Sequence, residues 1–206
     1  DCGVACTNAE IGMTFSKKMD VTPTTDAISL YICYDDPTCT DRVEVTNFVI
    51  TTVIENDTTF IGSVPGVDFN GDGLVDYYLF PDSYYQVVID GLPPGAQSAE
   101  SVPAAGDQIS LGGLNYSQFG FQLDSYAWIF HTNPDFELCL PSRINVEPNQ
   151  YNAPYDVEVP YVATPYTAAD SCSVNGQRLI QYSWEWQWNS TNLVVATLVT
   201  NTFGDL

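Results

Sequence analysis

Ser63-Val-Pro-Gly-Val67-Asp68-Phe69-Asn70-Gly71-Asp72-Gly73-Leu74-Val75-Asp76-Tyr77-Tyr78-Leu79-Phe80 is the stretch in which residue type and spacing together demand a particular local structure. Counted from Asp68, side-chain oxygens fall at loop positions 1, 3, 5 and 9 (Asp68, Asn70, Asp72, Asp76). Glycine occupies position 6 (Gly73), and position 7 (Leu74) offers its carbonyl. A hard cation that takes about six to eight oxygens at roughly 2.3–2.6 Å is served by such a turn, with glycine where the chain bends sharply. Three carboxylates this close would repel one another without a metal, so the spacing predicts Ca2+ held by Asp68, Asn70, Asp72, Leu74 and Asp76. The helix-flanked version of such a loop needs a bidentate glutamate at position 12, where this chain has Leu79. The flanks Ser63–Val67 and Leu74–Phe80 read as extended. The loop is therefore expected to join neighbouring β-strands and to serve structure, not to process a substrate.

Working outward, the composition carries the same fold class along the chain. Thr, Val, Tyr, Phe and Trp are plentiful, the 13 prolines and 14 glycines punctuate short runs, and no long stretch has a 3.6-residue hydrophobic period. This predicts an all-β protein, an antiparallel β-sandwich of jelly-roll or immunoglobulin-like type. A chain of 206 residues is long enough to bury about 70% of its unfolded surface. It is read as one domain with an N-terminal arm over 1–10 and a long Pro/Ala/Ser/Gly-rich loop over 91–107. Two small β domains split near 91–107 are the alternative.

Predicted strands are Ile11–Lys18, Ala27–Tyr34, Val43–Glu55, Ser83–Asp90, Gln108–Gly112, Ser117–Leu123, Tyr126–His131 and Phe136–Leu140. Tyr126–Phe130 is apolar on both faces and reads as a central, covered strand. Tyr155–Tyr161 alternates around Pro160, which suggests an edge. Arg178–Trp188 places Tyr182, Trp184 and Trp186 on one face, and Leu193–Thr200 is again apolar on both.

Charge and cysteine content set the environment. The formal net charge of -21 comes from 26 acids against 5 Lys and Arg, which argues against a nucleic-acid or anionic-membrane partner. Six cysteines with one histidine and no zinc-type CxxC pair point to disulfides and an oxidising compartment. Cys33 and Cys39 bracket a turn-forming insert and are expected to pair locally. A Cys139–Cys172 bridge is then expected, with Cys2 and Cys6 stapling the arm either to each other or crosswise. Asp1 as first residue and the lack of an apolar run that could span a bilayer read as a mature secreted protein. Asn56, Asn115 and Asn189 stand in glycosylation sequons, which mark surface loops and possible glycans.

The Asp68–Asp76 pattern resembles the D-x-N-x-D-G-x-x-D loops of integrin-type FG-GAP repeats and of bacterial and archaeal surface β-domains. The resemblance covers about a dozen residues, and one copy of the loop does not imply a propeller. The phrase Met13-Thr-Phe-Ser-Lys-Lys-Met-Asp20 resembles the opening strand of collagen-adhesin B-type domains. There, a strand lysine can join a later Asn or Asp by an isopeptide bond.

Three functions follow from these features. The first is an extracellular, calcium-stabilised structural subunit of a cell-surface filament, tubule or sheath, whose identical copies assemble by donor-strand exchange. The donor is expected to be a terminal segment, the 1–10 arm ahead of Leu193–Thr200. The second is a calcium-dependent carbohydrate-binding module with Tyr182, Trp184 and Trp186 as its stacking platform. The third is an enzyme, disfavoured because His131 is the one histidine for any triad, and because Glu137 or Glu185 could supply only half of a glycosidase pair.

Overall fold

The computed structural model describes residues 4–15, 18–53, 56–91, 95–96, 125–135, 137–149, 157–169, 173–180 and 187–189. Strands dominate, paired antiparallel within each sheet, as the composition predicts. They are β1 (Ile11–Thr14), β2 (Ile28–Tyr34), β3 (Val43–Glu44), β4 (Val49–Val53) and β5 (Asn56–Ser63), followed by β6 (Tyr84–Asp90), β7 (Ser125–His131), β8 (Arg143–Glu147) and β9 (Val162–Tyr166). Among the described residues there is one short helix, α1 (Val21–Asp26), between β1 and β2. Among the described residues no helix is long and apolar enough to cross a membrane.

Period-2 alternation explains the largest sheet, ordered β3-β2-β6-β7. Along β6, Tyr85, Val87 and Ile89 are buried while Tyr84, Gln86 and Val88 are half-buried, and β2 buries Ile28 and Leu30 beside them. A three-stranded sheet, β1-β5-β4, contributes Ile11, Met13 and Phe60 to the same hydrophobic cluster. Each such side chain contributes about 1.5–3 kcal/mol on full burial. Aromatic geometry adds to this: Phe15 meets Phe60 edge-on at 5.6 Å, and Tyr85 stacks on Phe130 at 5.5 Å. β5 crosses the ring of Phe48 at Gly62, where any Cβ would overlap that ring.

The third sheet pairs β8 with β9. Beyond β9 the chain is continued by single bridges, Tyr166 to Arg178 and Leu179 to Ala9. Residues 4–10 thereby join this end of the molecule to the end of β7, where Ala5 pairs in parallel with Thr132.

Several expectations need correction. The predicted first strand stops at Thr14. Val43–Glu55 is two strands, because a tight turn closes from Phe48 N–H to the Val45 carbonyl (3.3 Å). α1 went unread because Pro23 and three threonines argue against a helix. Proline is tolerated in a first turn, where its missing N–H has no partner to lose, and Thr24 is buried. Tyr126–Phe130 is not covered: β7 ends its sheet among the described residues, with Tyr126 59% and Ile129 38% exposed. Residues 157–161 are irregular, and the strand starts at Val162, with Pro165 inside it accepting from Leu179 N–H through its carbonyl. Residues 137–140 form no strand. The segments 108–112, 117–123 and 193–200 lie outside the described residues, as does most of 91–107.

Candidate metal loop and the disulfide-pinned N-terminal segment

The flanks of the acidic loop are not strands. Ser63 ends β5, and the loop is closed by one bridge, Val67 to Tyr77, with N–H to carbonyl distances of 2.8 and 2.9 Å for Val67 to Tyr77 and Asp76 to Val67. Buried Tyr77, Tyr78 and Leu79 anchor its C-terminal side, so packing takes the place of a ladder. Within the loop each acid caps backbone N–H groups. Asp68 accepts from Gly71 and Gly73 at 2.6 and 2.8 Å, and Asp76 accepts from Phe69 and Asn70 at 2.8 and 3.2 Å. Asn70 Oδ1 accepts from Asp72, and Asp72 Oδ1 accepts from Leu74, at 2.9 and 2.8 Å. Gly71 and Gly73 sit at φ +77° and +86°, the left-handed region where glycine is favoured.

This geometry is a self-capped acidic turn. Among the described residues no three His, Cys, Asp or Glu side chains form a group that could hold a metal ion. The loop is exposed, and Phe69 and Leu74 stand out from it into water.

The cysteines are placed partly as expected. Cys33 and Cys39 are bonded, closing a turn in which Asp36 accepts from the N–H groups of Thr38, Thr40 and Asp41. These bonds, with that of the Thr38 hydroxyl first among them, hold the Asp36 carboxyl down at about 2. Cys6 is bonded to Cys139, which rules out the Cys139–Cys172 and Cys2–Cys6 pairings and takes the crosswise route. Cys2 and Cys172 lie outside the described residues.

Sequence reasoning missed the environment of Cys6. Read as an arm, residues 4–10 are instead seated at four places along the chain. Ala5 N–H donates to the His131 carbonyl and its own carbonyl accepts from Asn133, both at 2.7 Å. Thr7 accepts from Leu79 at 2.7 Å, and Asn8 accepts from Ile180 at 2.9 Å. The fully buried Asn8 side chain accepts from Cys139 N–H at 3.1 Å and donates to the Cys139 carbonyl at 3.2 Å, imitating a strand partner beside the disulfide. Gln177 does the same from the other side, accepting from Cys6 N–H at 2.7 Å and donating to Val4 at 3.0 Å. The run Cys6-Thr-Asn-Ala9 is small and polar, so nothing in its hydropathy announces burial; only the cysteine did.

Glu10 and Arg178 close this seat as an ion pair, with the Glu10 side chain 9% exposed. Burial pushes the Glu10 carboxyl up, while the charge and hydrogen bond of Arg178 pull the other way and lose. A carboxyl with a raised folded pKa contributes most below its unfolded pKa, and that contribution is lost as pH rises through the folded value. Glu10→Gln is therefore expected to be at least as stable as the parent at neutral pH, with the parent catching up as pH falls into the carboxylate range. Urea midpoints across pH measure this, and a clear loss at neutral pH would show that the ion pair outweighs burial.

The remaining candidates are scattered. His131 stacks on Tyr84 at 4.3 Å with Nε2 3.2 Å from Asp82 Oδ1, on the face of β6 and β7 away from the core. Glu137 is exposed and irregular. Asn56 opens β5 opposite Val53, and Asn189 is exposed. Asn115, Tyr182, Trp184, Trp186, Glu185 and Lys17 lie outside the described residues. Compared with known protein families, curated proteins and solved structures, the chain has no significant match.

Proposed function

We propose that this chain is an extracellular, calcium-stabilised β-sandwich subunit of a cell-surface polymer, with identical copies as partners and strand exchange as the joint. The observation that carries the reading is the outer edge of β7. Among the described residues this strand is paired by β6 on one side, while on the other Ala5 meets it only at His131–Asn133. A seven-residue edge bearing exposed Tyr126 and Ile129 is a template for an added strand. The sandwich part rests on the cluster shared by the β3-β2-β6-β7 and β1-β5-β4 sheets. The disulfides are compatible with secretion, since such bonds persist in oxidising compartments.

The calcium part rests on the acidic loop. Asp68 and Asp76 turn their carboxylates onto N–H groups of the loop itself. A carboxylate has about four acceptor positions, so these bonds leave lone pairs for a cation. In this reading calcium is held by Asp68, Asn70, Asp72, Asp76 and the Leu74 carbonyl, and it relieves their repulsion.

The test is sedimentation and electron microscopy of the purified protein with calcium and with chelator, beside its thermal melting. Regular polymers are expected with calcium. Chelator should lower stability by about 2.7 kcal/mol relative to calcium at a hundredfold excess over Kd. A monomer at every protein concentration sinks the polymer, and an unchanged melting temperature in chelator sinks the calcium site.

A further inference from the structure

Building on the polymer reading above, we propose that the exchanged element is the 4–10 segment, and that Cys6 of one copy bonds Cys139 of the next, so that the polymer is covalently linked through this disulfide. The seat of 4–10 is built from segments remote in sequence: Leu79, His131–Asn133, Cys139 and Arg178–Ile180. Among the described residues, 4–10 belong to none of the three sheets and lead directly into β1 at Ile11. A seat that fits this segment of its own chain fits the identical segment of a second copy with the same hydrogen bonds, the same Asn8 clamp on Cys139 and the same Glu10–Arg178 pair.

Because both forms make the same contacts, their free energies differ mainly by the link at Glu10–Ile11 and by concentration. The closed form wins when its own segment is the more concentrated one, and the exchanged form wins as protein concentration overtakes it. The position of Ala5 on the outer edge of β7 makes the seat continuous with the edge argued above to accept a strand. Oxidation then makes whichever form is present permanent. The two thiols lose two protons and two electrons to an external disulfide, which departs as two thiols; the chemistry is the same whether Cys6 and Cys139 belong to one chain or two.

The experiment mixes reduced, unfolded chains of natural and heavy-isotope composition and refolds them with calcium and oxidised glutathione. It is done at about 1 µM and at about 1 mM, the range over which a tethered segment competes with a free one. Sedimentation reads assembly. Non-reducing denaturing gels and peptide mapping read the bond. The expected result is a reducible ladder in the concentrated sample, with Cys6–Cys139 peptides that combine a light and a heavy chain enriched at least about tenfold over the dilute sample. The Cys6→Ser variant should still sediment as polymer but run as monomer on the gel. Polymer with no mixed Cys6–Cys139 peptide overturns this inference and leaves the polymer reading standing. A covalent ladder that persists in Cys6→Ser overturns it as well, and failure of the parent to sediment as polymer at any concentration removes both.

Discussion

Cys6→Ser with Cys139→Ser is expected to lower the unfolding free energy of the dilute monomer by about 3–5 kcal/mol, the largest loss from any pair of cysteines described here. The bond closes a loop across 133 positions, whereas Cys33–Cys39 spans 6. In the chain-entropy account the long loop restrains the unfolded state by about 5 kcal/mol and the short one by about 2 kcal/mol. The lower end of the range allows for structure retained in the unfolded chain. Loss of the bond also frees a segment held by single bridges, so residues 4–10 and 177–180 should lose hydrogen-exchange protection well before β2 and β6. Urea titrations of both double variants decide the matter. A larger loss for the Cys33/Cys39 pair would mean that loop length does not set the hierarchy.

How much of this was legible in the sequence depends on whether a signal was local. β2 and β6 were read nearly to the residue, because strict alternation of Ile28, Leu30 and of Tyr85, Val87, Ile89 reports a half-covered sheet. The Cys33–Cys39 bond was legible for the same reason, since the turn between them is built from neighbours. The acidic loop was located correctly, but its flanks were not, because apolar Tyr77, Tyr78 and Leu79 are equally at home in a strand or packed without one. β7 shows the limit of hydropathy most clearly. Apolar residues on both faces say that both faces have chemistry to offer, not that the strand lies in the middle of a sheet. The seat of residues 4–10 was invisible, since its partners are up to 173 positions away and its side chains are small and polar. Buried polarity of this kind is legible only once Asn8 and Gln177 are seen with their backbone partners.

Gly176→Ala is the second large effect, expected to cost about 3–5 kcal/mol, beyond what conformation alone explains. Gly176 sits at φ +74°, and a left-handed backbone costs an L-residue about 1–2 kcal/mol. The rest comes from a clash. A Cβ at this position would overlap the Thr167 carbonyl oxygen, and that stretch of backbone is not free to retreat. Thr167 N–H donates to the Gln177 carbonyl at 2.9 Å while its hydroxyl accepts from Gln177 N–H at 2.8 Å. Moving either strand therefore shifts Gln177, whose side chain holds Cys6 and Val4, and the damage should spread from the turn to residues 4–10. Gly73→Ala supplies the control. It has a similar φ of +86° but nothing within 4 Å of the added Cβ, so about 1–2 kcal/mol is expected there. Denaturant unfolding of the two variants at equal m-value separates strain from clash. If Gly176→Ala loses no more than Gly73→Ala, then the turn at 173–176 opens freely, and the rigid seat for residues 4–10 that it supports is not as firm as its hydrogen bonds imply.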